Sequence, residues 1–367
     1  MAKEMTKRER VERTLAFQET DRIPIYDLLR CDAAFEHFAG ERLPTLSEDP
    51  QTAKTLHRIA CKAVGNFLDM TRSVGFGPLA EKDTTDTYGF MHHHAPFLKT
   101  SWIVKRPFED EQGAMAFIEK WTDAVKKRTR EIQSDQVHFR EKVHRDFLER
   151  RSNMSDTVEL LAEQGTGLDS LRHALGMELF TYVYLDSPNL LGEAMDAETD
   201  QNVAICHAIA DPKLSPVVLT YGDIACKDRL LHSPAFLRKE FLPRIKRIHD
   251  AWHEHHIKCL FHSDGNLMEI MDDLIEAEID GLNPIETVAG MDLKTLREAY
   301  GNKIFLAGGI DMSQLLSRGT PDQVREVCRQ AIRDAYPGFF MGSTTEADNS
   351  CRLENLIAMR EVALETP

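Results

Sequence analysis

Val217-Val218-Leu219-Thr220-Tyr221-Gly222-Asp223 is the first of five short apolar runs in the second half of the chain, each ending in a polar residue able to do chemistry and followed by a helical segment. The others are Ile257-Lys258-Cys259-Leu260-Phe261-His262-Ser263-Asp264, Gly281-Leu282-Asn283-Pro284-Ile285-Glu286, Ile304-Phe305-Leu306-Ala307-Gly308-Gly309-Ile310-Asp311 and Phe339-Phe340-Met341-Gly342-Ser343-Thr344-Thr345-Glu346. Strands of four to seven apolar residues alternating with amphipathic helices specify parallel β/α units, buried on both faces. When such units close into a barrel, the strand carboxyl ends gather around one cleft. The five polar termini would meet there, so the spacing points to an enzyme site.

The first half of the chain is less regular. A helix is expected over residues 6–17, opened by a Thr6 cap, and a strand over 22–27, entered through Pro24 and ending at Asp27. A second helix over 50–63 leads into Gly65-Asn66-Phe67-Leu68-Asp69-Met70. Residues 83–107 read as an inserted hairpin, and 109–151 as a long charged helical stretch broken near Ser134. Glu163-Gln164-Gly165-Thr166-Gly167 reads as a strand end feeding a cleft, and Ser187-Pro188 opens a helix to about Ala210. Strand-like segments run from Ile23 to Met341 without a linker, which predicts a single domain over 1–367.

The 367 residues carry a net charge of -15, with 42% hydrophobic and 29% charged residues, as expected of a folded chain. That charge repels phosphate backbones and anionic lipid headgroups, and no basic stripe overrides it, so neither nucleic acid nor a membrane is expected as a partner. The N-terminus Met1-Ala2-Lys3-Glu4-Met5-Thr6-Lys7-Arg8 lacks the apolar core of a signal peptide, and a cytoplasmic location is expected. Seven scattered cysteines without a CxxC pair read as reduced thiols, most of them core fillers.

His262-Ser263-Asp264-Gly265 is the sharpest local signal. Strand residues i and i+2 face the same side, so His262 and Asp264 both point into the cleft while Gly265 lets the backbone turn. An imidazole and a carboxylate on one face suit zinc, a third ligand coming from another loop. Glu346 or Cys351, both after the last apolar run, are candidates for that third ligand. Without a metal, His262 would be a strand-end histidine bonded to a carboxylate. Asp223, Glu286 and Asp311 each end a strand and are candidates to orient substrate or a histidine, against the simpler role of capping the next helix. His92-His93-His94 alternate faces and cannot all bind one ion without distortion, so a local hairpin or an exposed run is expected; His253, His255 and His256 read as the solvated face of a helix.

Along nearly its whole length the chain resembles the uroporphyrinogen decarboxylase superfamily. The residues carrying the resemblance are Asp21-Arg22-Ile23-Pro24, Ser233-Pro234 with Leu242-Pro243, Phe261-His262-Ser263-Asp264-Gly265, Gly281-Leu282-Asn283-Pro284, Gly319-Thr320-Pro321 with Val324, and Leu353-Glu354-Asn355. It implies a single distorted (β/α)8 TIM barrel, here with N-terminal helices and an inserted hairpin. Two departures choose between its chemistries. The decarboxylases carry an arginine-rich segment after the first strand, whereas Leu28-Leu29-Arg30-Cys31-Asp32-Ala33 holds only Arg30, a candidate substrate contact. They also carry a Gly-His-Gly segment where this chain has Thr344-Thr345-Glu346. An octa-anionic porphyrinogen would find too few cations.

The superfamily's methyltransferases move methyl groups to or from a corrinoid protein, and those acting on coenzyme M bind zinc through His-x-Cys and a distant Cys. This chain keeps His262 but has Asp264 for the first Cys, a harder donor set that suits thiol activation poorly. The resemblance therefore implies an O-demethylase-like methyltransferase for a small methylated, methoxylated substrate. Its catalytic candidates are His262, Asp264, Asp223 and Glu286, and its substrate contacts Arg30 and Asp311. A divalent metal, zinc, would be held by His262 with Asp264, Glu346 or Cys351. The cobalamin would come on a separate corrinoid protein, since no Asp-x-His-x-x-Gly motif occurs; a homodimer is left open. A decarboxylase of a porphyrinogen or smaller carboxylate is the second reading, and a non-catalytic binding protein the third.

Overall fold

The computed structural model describes residues 4–72 and 74–365; residues 1–3, which begin the segment read as lacking a signal peptide, and 73, 366 and 367 lie outside the described residues. The chain opens on a helix, Lys7–Leu15, whose Thr6 hydroxyl accepts the Glu9 amide while the Glu9 carboxylate returns to the Thr6 amide. The long charged stretch forms two helices, Glu111–Ser134 and Gln136–Arg151, parted at Asp135, whose φ of -143° leaves the helix and whose carboxylate caps the second. Pro188–Ile209 follows its Ser-Pro entry as the sequence predicts. Three short helices, Asp32–Ala39, Leu168–Leu175 and Met177–Asp186, were not legible. Each has ten residues or fewer, too little for a periodic signal to stand out.

Among the described residues the strands form two parallel sheets, a short antiparallel pair, Ala225–Cys226 with Arg229–Leu230, and an antiparallel insert. The six-stranded sheet runs Phe339–Ser343, Phe305–Ile310, Gly281–Asn283, Lys258–His262, Val217–Tyr221, Glu163–Gln164. The three-stranded sheet runs Tyr26–Asp27, Met70–Thr71, Val158–Glu159. Two parallel bridges, Ile25 to Met341 and Leu29 to Ala347, join the first-strand and last-strand segments on one side, and the Leu161 amide bonding the Val217 carbonyl at 3.2 Å joins the sheets on the other. Residues of both sheets, Tyr26, Met70, Val158, Leu219, Phe305 and Phe340 among them, pack into one interior cluster, and Val11 and Leu15 of the first helix close its lower end. The intervening strand residues, Val218, Phe261 and Phe339 for example, face the helices in a second, larger cluster. Gly342 is required where the two sheets meet, since a Cβ there would lie 1.9 Å from the Tyr26 carbonyl oxygen. The expected hairpin is a three-stranded antiparallel sheet, Lys82–Thr85, Met91–Ala95 and Thr100–Lys105.

Several sequence anchors hold the fold rather than the cleft. Fully buried Asp69 accepts from Arg10 Nη1, from both Arg22 terminal nitrogens, each at 2.8 Å, and from the Ile25 amide at 2.9 Å. Asp21 takes Arg10 from the other side at 2.7 and 2.9 Å. Asn355, also fully buried, donates to the Leu316 and Gly319 carbonyls at 3.0 Å and ties the last helix, Leu353–Ala363, to the preceding turn.

Asp27 welds the first strand to the last, accepting the Ser343 amide and hydroxyl, both at 2.8 Å. Burial pushes its carboxyl up to about 6, against the Ser343 bonds that favour the anion. A raised carboxyl means that the folded state holds the proton more tightly than the unfolded chain. This group's stabilisation is therefore complete below its ordinary value of 3.8 and is lost as pH rises to about 6. Over that window Asp27→Asn is expected to be flatter than the parent by up to about 3 kcal/mol, two units at 1.36 each. Melting temperatures of both proteins at pH 4 and pH 7 check this; parallel profiles would count against it.

Candidate active site

The register of the six-stranded sheet sets His262 level with Tyr221 on one side and Asn283 on the other. His262 is buried, and its Nδ1 lies 2.7 Å from Asn283 Oδ1. The Asn283 amide nitrogen donates to the Ala307 carbonyl at 3.2 Å, which turns Oδ1 towards the ring. By that hydrogen-bond network the proton is assigned to Nδ1, and the Nε2 lone pair faces Asp223, whose Oδ1 stands 4.0 Å away.

Asp223 is held through its backbone: its amide donates to Asp169 Oδ2 at 3.0 Å and its carbonyl accepts Arg172 at 2.7 Å. Its side chain is half exposed, and its Oδ1 accepts the Asp264 amide at 3.5 Å. Asp264 accepts the Thr345 hydroxyl at 3.1 Å. Thr345 has φ 80°, a left-handed conformation costly for a β-branched residue and tolerated where the surroundings impose it.

Glu286 accepts the Gly265 amide at 2.9 Å, fixing the turn that carries Asp264. Gly265 has φ +87°, and a Cβ there would sit 2.5 Å from the Cys226 carbonyl oxygen. Gly265→Ala is thus expected to move the turn at a cost of about 1–3 kcal/mol and to lower turnover at least about tenfold through misplacement of Asp264. Steady-state rates beside the melting curve test this; an unchanged rate would show that the turn tolerates the displacement.

Asp223, His262 and Asp264 each offer a ligand atom within 4.8 Å of the others. Among the described residues, neither Glu346 nor Cys351 joins that group. Glu346 pairs with Arg30 at 3.2 Å; burial raises its carboxyl, and Arg30 opposes the shift. Cys351 is buried, its carbonyl 3.9 Å from the Cys31 sulfur, and burial pushes both thiols up. Asp311 caps the turn after its strand, accepting the Ser313, Gln314 and Leu315 amides at 3.3, 2.8 and 2.9 Å. The three hairpin histidines part company as expected: His92 meets Asp86, His93 meets Asp83, and His94 meets Thr84. His253 and His255 are half-buried rather than solvated, with Asp280 and His207 as partners.

Sequence reasoning passed over Asn283, Thr345, Asp169 and Arg172, whose roles depend on strand register and loop torsion. It also missed the charge pairing around the cleft. Arg72 bonds Glu163 at 2.5 Å, Arg172 bonds Asp169, and Arg30 bonds Glu346, so all three arginines are already neutralised. Beside the strand ends a cavity of about 420 Å³ is lined by Tyr88, Trp121, Ser170, Glu198 and Tyr221. Burial raises the Glu198 carboxyl to about 7, opposed by the Ser170 hydroxyl donating at 3.2 Å.

Parallel strands delivering a histidine and two aspartates to one cleft, with helices outside, define an enzyme-type β/α architecture. A family model described as uroporphyrinogen decarboxylase (URO-D) matches residues 150–365, more than half of the chain and the whole span from Asp223 to Glu346, and the chain belongs to that family. It is similar in fold to the solved structure of a methyltransferase from Methanosarcina mazei, with a TM-score of 0.65 and 17% identity over 98% of each chain. No curated protein matches it. No helix among the described residues is long and apolar enough to cross a membrane.

Proposed function

We propose that the chain is a cytoplasmic methyltransferase that takes a methyl group from a small methoxylated substrate and passes it to a corrinoid carried by a separate protein. The two sheets are read as one distorted (β/α)8 barrel in a single domain spanning 1–367. The supporting observation is the strand-end trio of Asp223, His262 and Asp264, set in a cleft without a free arginine among those named above. A polycarboxylate such as a porphyrinogen would meet carboxylates there; a neutral methyl ether would not be repelled.

The trio fits a divalent metal. Tetrahedral zinc with bonds of about 2.05 Å sets its ligands about 3.3 Å apart, and the 4.0 Å between His262 Nε2 and Asp223 closes to that with small side-chain rotations. A metal held there would act as a Lewis acid towards the leaving oxygen. Asn283 keeps the His262 ring in the tautomer with Nε2 open, and Thr345 aims Asp264. Where no metal is held, Asp264 acting as an acid would instead assist the oxygen as it loses its methyl group. The reacting methyl must lie in line with the acceptor, which requires substrate to bind below an open mouth.

The competing decarboxylase reading rests on the family's name. Carbon dioxide release and methyl transfer are measured on the same preparation, with methoxybenzenes and with a porphyrinogen, in the presence and absence of a reduced corrinoid protein. Demethylation that depends on the corrinoid supports the proposal. Carbon dioxide release without corrinoid sinks it.

A further inference from the structure

We propose a second metal site, on the face of the fold opposite the cleft, formed by Cys206, His207 and His255. Pro188–Ile209 ends just before the strand Val217–Tyr221 begins, and the turn after Leu242–His253 leads directly into Lys258–His262. Both connections therefore lie at the amino ends of the strands, away from Asp223, His262 and Asp264. There the three side chains each place a ligand atom within 4.8 Å of the others.

The donor set is specific. His207 Nδ1 and His255 Nε2 face one another at 3.0 Å, ring to ring. Two ligands of one tetrahedral zinc stand about 3.3 Å apart, so an ion is admitted by opening that contact a few tenths of an ångström. Cys206 is fully buried, which pushes its thiol well up, and it contributes a sulfur as the ion displaces the thiol proton. Two imidazole nitrogens with one thiolate form a combination that selects zinc and cobalt(II) over magnesium and calcium. His255 is held in place by the turn, in which His256 takes φ 59°.

The surroundings favour a cation. Cys206 and His207 lie in the last turn of a 22-residue helix, where the macrodipole is negative. Glu254, whose charge reaches Cys206, adjoins His255 and is available for the fourth position. Arg140 is the opposing cation, and its guanidinium is engaged with the Ala208 carbonyl at 2.6 Å. On binding, the Cys206 thiol gives its proton to solvent and the thiolate takes one ligand position. Such a site would clamp the helix end to the turn.

Cobalt(II) reports the two sites separately, because a sulfur ligand gives a near-ultraviolet charge-transfer band and the oxygen and nitrogen donors of the cleft give none. Metal-free full-length protein is titrated with cobalt(II). The expected result is that band, saturating at roughly one equivalent per chain. It is lost in Cys206→Ser and in His255→Ala, the latter a half-buried turn residue whose loss spares the core. It is retained in Asp264→Asn, so failure of the cleft reading leaves this result untouched. A folded parent with no sulfur band, or a band that survives both Cys206→Ser and His255→Ala, overturns the proposal.

Discussion

Asp69→Ala is expected to lower stability by about 3–5 kcal/mol, the largest effect of any single change at the base of the fold. Asp69 is the common acceptor of two arginines and of the Ile25 amide. Removing it leaves Arg10, almost wholly buried, with Asp21 and the Met5 carbonyl, and Arg22 with no carboxylate among its hydrogen-bond partners. An uncompensated buried charge costs more than the lost bonds themselves. With an unfolding entropy near 2.1 cal/mol/K per residue, that loss corresponds to about 4–7 °C in the melting temperature. Asp69→Asn should recover little, since an amide offers one acceptor where the carboxylate serves four donors. Melting within 1–2 °C of the parent would show that Arg22 simply rotates to solvent.

The contrast between that base and the upper rim explains what the sequence could disclose. The five apolar runs of the second half are all strands because central parallel strands are covered on both faces and so read as unbroken hydrophobic segments. The first strands escaped such clarity: Tyr26–Asp27 and Met70–Thr71 pair over only two residues each. At the site, His262, Asp264 and Asp223 were legible as strand-end residues, and the structure brings them together. Glu346 and Cys351 were given the same standing by position alone. The left-handed turn at Thr345 instead presents a hydroxyl to Asp264 and leaves Glu346 against Arg30, a torsional outcome that residue types do not encode. The meeting of His207 with His255, 48 residues apart, is likewise a product of packing.

His262→Ala is expected to lower kcat/KM for demethylation by about 10²–10⁴-fold, the range for loss of a positioned acid, base or ligand group. Its Nε2 is the one imidazole donor of the cleft trio. Folding should suffer far less. The variant leaves the Asn283 carbonyl oxygen without its ring partner, a cost of about 1–3 kcal/mol. A variant that keeps activity within tenfold of the parent would assign His262 to structure and move the chemistry to the aspartates.

The direct measurement is the visible spectrum of a corrinoid protein reduced to cobalt(I), followed as this chain and a methoxybenzene are added. Cobalt(I) should be consumed and methylcobalt should appear in proportion to the phenol released, with the parent protein and not with His262→Ala. An unchanged cobalt(I) spectrum across methoxylated aromatics, methanol and methylamines, with carbon dioxide released from a carboxylated substrate, would contradict methyl transfer and make the chain a decarboxylase.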